Sequence, residues 1–171
     1  MVIWLVGLSG AGKTTIGRPL YERWKKQASN TVLVDGDEIR KIFKHDQNLD
    51  AYTVEGRRVN GERISEICAW LDRQGINVVC CILSIFEDMR IRNRQNFSKY
   101  FEVYLSAPME VLEKRDTKGL YASARRGEQK NVVGVDIPFP PPANPDMVID
   151  TSCEDPDFQA LANKILQEAE R

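Results

Sequence analysis

Short apolar runs alternate along this chain with longer segments of helical periodicity. The runs are rich in β-branched residues, and they predict five strands, at 2–6, 31–34, 77–83, 100–105 and 147–150. The segments between them predict helices at 13–28, 37–45, 55–74, 87–97, 108–115 and 157–170. Apolar strands that alternate with helices are typical of a parallel sheet covered on both faces. We therefore predict an α/β fold with a doubly wound, five-stranded parallel sheet.

Residues 116–146 show no comparable periodicity, although GLYASARRGEQ at 119–129 could form a short helix. A long irregular stretch inside a compact domain is typically either a functional lid or a disordered segment. With 171 residues, the chain is most simply one domain. We expect a single domain at 1–171 with a mobile lid at about 116–134, and a proline-stiffened return over 138–142.

The composition limits the possible partners. The formal net charge is −1, so no overall basic field favours nucleic acid or an anionic membrane, and any anion site must be local. No stretch approaches the roughly 20 apolar residues that a membrane span needs. The four cysteines show no CxxC spacing, and we interpret the adjacent Cys80 and Cys81 as buried thiols in a reducing compartment. We therefore expect a cytoplasmic protein that binds neither nucleic acid nor membrane.

A phosphate-binding loop follows the first strand. GLSGAGKTT at 7–15 matches G-x-x-x-x-G-K-[ST], and it lies between a predicted strand and a predicted helix, the context in which this pattern is meaningful. Successive backbone N–H groups and the helix N-terminus favour an anion there. Lys13 can reach the β- and γ-phosphates of ATP, and the Thr14 hydroxyl can ligate Mg²⁺. The residues expected to bind the phosphates are Gly7, Ser9, Gly10, Ala11, Gly12, Lys13, Thr14 and Thr15.

The second strand ends in a cluster of charged side chains, VDGDEIR at 34–40. Ligands of open parallel sheets bind beyond the carboxyl ends of the strands, so Asp35 and Asp37 should face the phosphate loop. Asp37 and Arg40 lie three residues apart, on one face if a helix begins here. An acid beside a base suits a hydroxyl acceptor that must be held and deprotonated, but Asp37 could instead serve only as a helix cap.

The long third helix carries a second polar pair near its beginning. Arg57 and Asn60 share one face of this helix. A guanidinium fork and an amide could hold an anionic group and a sugar or base. A solvated helix face is the alternative interpretation. The basic run RIRNR at 90–94 is also interpreted as a solvated face, and the only histidine, His45, as a loop residue without a catalytic role.

These motifs together resemble the adenylyl-sulfate kinase family over nearly the whole chain. The matching pieces are IWLVGLSGAGKTT, VDGDEIR, the helix with Arg57 and Asn60, FEVYLSAPMEVLEKRDTKGLY, GVDIPFPPPANP and a final DT, in the family's order. The resemblance implies a P-loop kinase that moves the γ-phosphoryl group of Mg-ATP to the ribose 3′-hydroxyl of a nucleotide. It also implies a homodimer, since dimers are usual among relatives.

The resemblance assigns roles to individual residues. Asp37 would orient or deprotonate the hydroxyl, Lys13 and Lys118 would complete the catalytic set, and Asp35 would lie near the metal through water. Lys118 would come from the lid and neutralise the transferring charge. The residues expected to bind the acceptor are Arg40, Tyr52, Arg57, Asn60, Leu83, Ser84, Lys118, Gly119, Leu120 and Val132.

Three departures from the family pattern fall on the acceptor side. Glu87 stands where relatives have an arginine, and Gly56 where they have an acid. Val132 stands where relatives have a phenylalanine, which is expected to sandwich adenine against the aromatic matched by Tyr52. Losing one half of a stacking pair costs on the order of 1 kcal/mol or more.

Adenylyl sulfate is therefore the first expectation for the acceptor, and a sibling kinase acting on another modified nucleotide is the alternative. A kinase of cytidine diphosphoramidate in capsule biosynthesis is its sharpest form, because a smaller pyrimidine tolerates Val132. A non-catalytic ATP-binding module is a remote alternative, since such a module would be expected to lose Lys13, Asp37 or Lys118.

Overall fold

The computed structural model describes residues 1–153 and 156–171 and contains a five-stranded sheet. All four strand pairs are parallel, and the strands lie in the order β2-β3-β1-β4-β5. The prediction of a doubly wound parallel sheet is thereby confirmed, with the strand before the phosphate loop at its centre. The strands are β1 Val2–Val6, β2 Thr31–Asp35, β3 Asn77–Ile82, β4 Tyr100–Ser106 and β5 Met147–Asp150.

Seven α-helices connect and cover the strands in the described ranges. They are α1 Lys13–Gln27, α2 Gly36–Ile42, α3 Val54–Arg73, α4 Glu87–Asn96, α5 Met109–Lys114, α6 Leu120–Arg125 and α7 Phe158–Glu170. The short helix foreseen near 119–129 exists as α6. The second helix was expected to reach residue 45, but it ends at Ile42 because Lys44 adopts a left-handed conformation and a 3₁₀ helix, His45–Gln47, follows.

The sheet is covered on both faces, as its apolar strands predict. Side chains of β1 alternate between the two faces, as the two-residue period of a strand requires. Ile3 and Leu5 belong to one core with α1 and α7, and Trp4 belongs to the other with α3, which contributes Ile64 and Cys68. Because layers cover both faces, a ligand of this sheet is expected beyond the carboxyl ends of the strands.

The four cysteines are free thiols, and Cys80 and Cys81 are buried as predicted. Cys68, Cys80 and Cys81 are buried free thiols and Cys153 is an exposed one. In residues 1–153 and 156–171, no helix combines the length and the apolar character that crossing a membrane would require.

Candidate active site

A cavity of about 860 Å³ opens at the carboxyl edge of the sheet, between the phosphate loop, β2, the start of α3 and the lid. It brings together residues that are far apart along the chain. The predicted residues that line it are Ser9, Gly10, Ala11, Gly12, Lys13, Thr14, Thr15, Asp35, Asp37, Arg40, Tyr52, Arg57, Asn60, Leu83, Lys118 and Leu120.

The phosphate loop is shaped by glycine and held by its own lysine. Gly10 and Gly12 have φ of 79° and 88°, a left-handed conformation that other residues rarely adopt, and α1 begins directly afterwards at Lys13. Lys13 Nζ donates to the carbonyl oxygens of Gly7 at 2.9 Å and Leu8 at 2.7 Å. The desolvation of this ammonium lowers the pKa of Lys13 to about 8. The loop thus presents a positive group that anionic phosphates would draw away from the two carbonyls.

A hydroxyl oxygen and a carboxylate oxygen lie next to each other beside this loop. Thr14 Oγ1 donates to Asp35 Oδ2 at 2.7 Å, and Asp35 Oδ1 accepts the N–H of Asp37 at 2.9 Å. Asp35 is therefore the N-cap of α2, and Asp37 is not needed as the cap. Hydroxyl and carboxylate oxygens suit Mg²⁺, which prefers oxygen ligands and keeps several waters. The residues present at this place thus fit the expected cation.

Asp37 is held by the neighbouring arginine but remains accessible. Its Oδ1 accepts from Arg40 Nη1 at 3.1 Å, and 67% of its side chain is exposed, whereas Arg40 is buried. The Arg40 guanidinium also lies over the Tyr52 ring, 4.8 Å from its centroid. The carboxylate therefore faces the cavity in an orientation that a buried cation stabilises.

Two buried polar atoms of this end lack partners among the described residues. They are the Nε of Arg40 and the Oδ1 of Asn60. The other amide atom of Asn60, Nδ2, donates to the carbonyl of Gly36 at 3.3 Å, which fixes the orientation of the side chain. Because a buried polar group without a partner is costly, such atoms in a cavity wall indicate a place for a polar ligand.

Arg57 joins the third helix to the lid. Its Nε donates to the Tyr52 carbonyl at 2.9 Å and its Nη2 to the Asn131 carbonyl at 2.8 Å. Burial, together with the positive charge of Arg40, lowers the pKa of Arg57 to about 10. Two arginines with a shared aromatic neighbour concentrate positive charge in this part of the cavity wall.

The lid is folded against the phosphate loop. The Asp116 carboxylate accepts the N–H groups of Leu120, Tyr121 and Ala122, which close the first turn of α6. The hydroxyl of the buried Tyr121 donates to the Ser9 carbonyl at 2.9 Å. These contacts bring the exposed Lys118 to the cavity wall.

Four predicted site residues lie outside the cavity wall. Gly7 lies beneath the loop, where its carbonyl accepts from Lys13. Gly119 is a left-handed turn residue before α6, with φ of 66°. Ser84 is buried, and its carbonyl accepts from Arg90 Nη1 at 2.8 Å. The polar Ser84 was expected at the acceptor, but it faces α4 instead.

Val132 is the fourth, and it differs most from expectation. Its side chain is 2% exposed and packs into the core on the α1 and α7 side of the sheet. Asn131 and Val133 line the cavity in its place. The expectation that Val132 faces the acceptor base is thus wrong for this structure, because the turn that follows the lid directs the side chain inward.

The charge of Glu87 is compensated within the protein. Its carboxylate pairs with Arg90, which is only 2% exposed. The interpretation of residues 90–94 as a solvated face is therefore wrong for Arg90 and for Asn93, which are both buried. Glu87 thus pairs within the protein and does not line the cavity.

Further residues line the cavity beside the phosphate loop and were not predicted from the sequence. These are Arg115, Thr151, Pro156 and Phe158. Thr151 follows β5, so the rule that sites lie beyond strand ends could have found it. Arg115 and Phe158 carry no comparable signal, because Arg115 directly follows α5 and Phe158 begins α7, and neither position belongs to a recognisable motif. His45 was expected in a loop, but it is buried in the 3₁₀ helix, and its Nε2 is 3.0 Å from the Gly56 carbonyl.

Comparison with known proteins adds a family to this geometry. Residues 1–150 match the family model described as adenylylsulphate kinase. A cytidine diphosphoramidate kinase of Campylobacter jejuni is 41% identical over 89% of this chain and 86% of its own length. An adenylyl-sulfate kinase of Clostridium kluyveri is 40% identical, over 97% of this chain and 81% of its own.

A solved structure has a similar fold. The APS kinase of Mycobacterium tuberculosis in complex with AMPPNP and APS superimposes with a TM-score of 0.85 and 29% identity. The similarity covers 99% of this chain and 97% of that one. The structural similarity therefore covers almost the whole chain.

Proposed function

Because this chain belongs to the adenylylsulphate kinase family and is a kinase that phosphorylates a hydroxyl group, we propose that its acceptor is adenylyl sulfate. The γ-phosphoryl group of ATP would move to the ribose 3′-hydroxyl, with 3′-phosphoadenylyl sulfate and ADP as products. The observation that carries this proposal is the placement of Asp37, paired with Arg40, in the same cavity as Lys13.

The donor end supports ATP binding. The N–H groups of the phosphate loop and Lys13 would hold the phosphates, and Arg115, Thr151 and Phe158 would surround the base. Phosphoryl transfer passes through a loose transition state, so charge placement contributes more than covalent chemistry. Thr14 and, through water, Asp35 would hold Mg²⁺, which when bound neutralises charge on the β- and γ-phosphate oxygens.

The acceptor end supports proton removal from a hydroxyl. Asp37 would accept the proton of the 3′-hydroxyl as that oxygen bonds to the γ-phosphorus and the bond to ADP breaks. Arg40, Arg57 and Asn60, which line the cavity, would hold the acceptor. Lys118 would approach the transferring group from the lid. Tyr121, which links lid and phosphate loop, helps to exclude water that would otherwise hydrolyse ATP.

Cytidine diphosphoramidate is a second candidate acceptor. The similarity to the Campylobacter jejuni kinase supports it, and so does the burial of Val132, which leaves Tyr52 without the expected aromatic partner on the lid. A pyrimidine has a smaller stacking surface than adenine, so it loses less when only one aromatic side chain is present.

The experiment that tests the proposal is a measurement of ADP release with Mg-ATP and each candidate nucleotide. Adenylyl sulfate should give acceptor-dependent turnover, with a phosphate on the 3′-oxygen of the product by NMR. A much higher kcat/KM for cytidine diphosphoramidate would move the proposal to that acceptor. If neither compound stimulated ADP release, the proposed reaction would be wrong.

We also infer that two copies of the chain associate. Trp70 on α3 and Ile91 on α4 are 58% and 51% exposed, and large apolar side chains in such positions favour an interface. Light scattering should give twice the mass of the chain. Replacing Trp70 with glutamate should shift this mass towards that of the monomer.

A further inference from the structure

Asp136 lies outside the cavity wall, yet it holds the end of the lid. Its Oδ2 accepts the N–H of Asn131 at 2.6 Å and its Oδ1 accepts the N–H of Val132 at 2.5 Å. Asn131 has φ of 64°, in the left-handed region that non-glycine residues seldom occupy. One carboxylate thus stabilises two adjacent N–H groups, and with them an unfavourable backbone conformation.

The turn that Asp136 closes is rigid. The Val132 carbonyl accepts N–H groups from Val135, Asp136 and Ile137, and the Gly134 N–H donates to the Ile137 carbonyl at 2.8 Å. The Val132 side chain anchors this turn in the core. The Asn131 carbonyl therefore has little freedom of its own.

This carbonyl is also the point at which the lid holds Arg57. It accepts from Arg57 Nη2 at 2.8 Å, across 74 residues of sequence, while the Tyr52 carbonyl holds Arg57 Nε on the other side. A guanidinium fixed by two backbone carbonyls keeps its remaining N–H groups in a defined direction. That direction depends on Asp136 through Asn131.

We propose that Asp136 is a positioning residue for acceptor binding: by fixing the Asn131 carbonyl, it orients Arg57 towards an anionic nucleotide. The inference rests on the proposed function, in which Arg57 contacts the acceptor. Asp136 does not touch the acceptor itself, so its replacement affects the acceptor through Arg57 and leaves the ATP end unchanged.

The first test is Asp136→Asn, in which the amide oxygen can accept at most one of the two N–H groups well and the NH₂ group faces the other. The KM for the nucleotide acceptor should rise about tenfold, whereas the KM for ATP and the kcat at saturating acceptor should change less than about twofold. Glu128→Gln is the matched control, because it removes a negative charge from the same lid at an exposed residue that pairs with Arg126. It should leave all three constants unchanged.

The second test asks whether Asp136 acts through Arg57. Lysine has no guanidinium fork, so in an Arg57→Lys background Asp136→Asn should raise the acceptor KM further by less than about twofold. A further tenfold rise in that background, or an equal rise in the KM for ATP, would overturn the proposal. If Asp136→Asn does not fold, Asp136→Glu replaces it, because the longer side chain moves the carboxylate away from the two N–H groups and should raise the acceptor KM alone.

A third measurement needs no acceptor. The bond after Lys130 lies next to the turn, so trypsin should cut it faster in the nucleotide-free Asp136→Asn and Arg57→Lys variants than in the wild type, as mass spectrometry would show. Unchanged cleavage in both variants would contradict the proposal. The proposed function fails separately, through a wild-type enzyme without acceptor-dependent turnover, so the two failures are distinguishable.

Discussion

A methyl group placed on Gly56 would lie 2.0 Å from the carbonyl oxygen of Asp50. The segment before α3 therefore rests directly on the backbone of the helix. His45 Nε2, 3.0 Å from the Gly56 carbonyl, and the Thr53 hydroxyl, which accepts the Gly56 N–H at 3.1 Å, hold it there. The family's acid has no room at this position, and its loss accompanies a loop that places Tyr52 beside Arg40.

Gly56→Ala should lower stability and weaken acceptor binding. The obstructing atom belongs to the backbone, so the loop must shift, at a cost of about 1–3 kcal/mol of unfolding free energy. The shift moves Tyr52 and should raise the acceptor KM more than the KM for ATP. Gly61→Ala is the control in the same helix, since its added methyl would meet the flexible end of Met89 at 2.8 Å. Equal melting temperatures for the two variants would contradict this account.

Asp37→Asn should abolish transfer and preserve ATP binding. The amide keeps the size of the side chain and its contact with Arg40, but it cannot accept a proton, so kcat should fall about 10²–10⁴-fold. Glu38→Gln is the control, because this exposed neighbour pairs with Lys41. ADP release gives kcat and calorimetry gives the ATP affinity. An Asp37→Asn enzyme with near-normal kcat would remove this residue from catalysis.

ATP affinity should fall as the pH rises above 8. The pKa of Lys13 is lowered to about 8 by desolvation, so the free enzyme loses the ammonium above that pH, and ATP must bind together with a proton. Affinity should decrease by up to about tenfold per pH unit between pH 8 and pH 10, and by only about twofold between pH 7 and pH 8. Calorimetry across this range measures the slope. Lys13→Arg should abolish it, and a flat wild-type profile to pH 10 would contradict the prediction.

The same burial predicts the sign of a stability effect. Because the folded-state pKa of Lys13 lies below the unfolded value, the unfolded chain binds more protons between pH 8 and about 10.5. The contribution of Lys13 to unfolding free energy therefore rises with pH in this window. Urea unfolding at pH 8 and pH 10 should show this gain for the wild type relative to Lys13→Met.

Val132→Phe should destabilise the protein rather than improve its use of adenylyl sulfate. The side chain is buried, and overpacking a core costs about 1–3 kcal/mol. Val148→Phe on β5 is the control, because that position is 58% exposed and should tolerate the ring. Urea unfolding measures both variants. A stable Val132→Phe protein with improved kcat/KM for adenylyl sulfate would mean that the ring reaches the acceptor after all.

Glu87→Arg should likewise be destabilising. It would place a second cation beside Arg90, which is buried and pairs with Glu87. Because Glu87 is 42% exposed, water reduces the penalty, and we expect a loss of about 1–3 kcal/mol. Glu22→Arg, on the exposed surface of α1, should have little effect in the same thermal unfolding measurement. Equal melting temperatures would show that Glu87 and Arg90 act independently.

Features that depend on local sequence were predictable. The strands followed from apolar runs, the phosphate loop from its glycines and lysine, and Asp35 and Asp37 from their position after β2. Each of these depends on neighbouring residues and on the rule that sites lie beyond strand ends. The fold, the phosphate loop and the two aspartates after β2 were therefore predictable from the sequence.

Features that depend on tertiary contacts were not. The family pattern suggested that the Val132 side chain faces a ligand. Whether it faces the cavity or the core depends on the turn closed by Asp136, and no periodic pattern in the sequence predicts that turn. Arg90 and Glu87 lie in an ordinary polar helix sequence. The arginine is buried between the Ser84 carbonyl, Glu87 and the buried Glu102 of β4. Individual side-chain contacts that follow no periodic pattern decided these cases.

The hydrogen bonds from Lys13 to the Gly7 and Leu8 carbonyls determine which substitution gives the better inactive variant for experiments in cells. In Lys13→Ala the nucleotide-free loop would lose both tethers together with the charge, so a phenotype in cells would combine a missing cation with an altered loop. Asp37→Asn leaves the loop and its lysine as they are. Genetic complementation with Asp37→Asn therefore separates the need for phosphoryl transfer from the need for a nucleotide-binding protein.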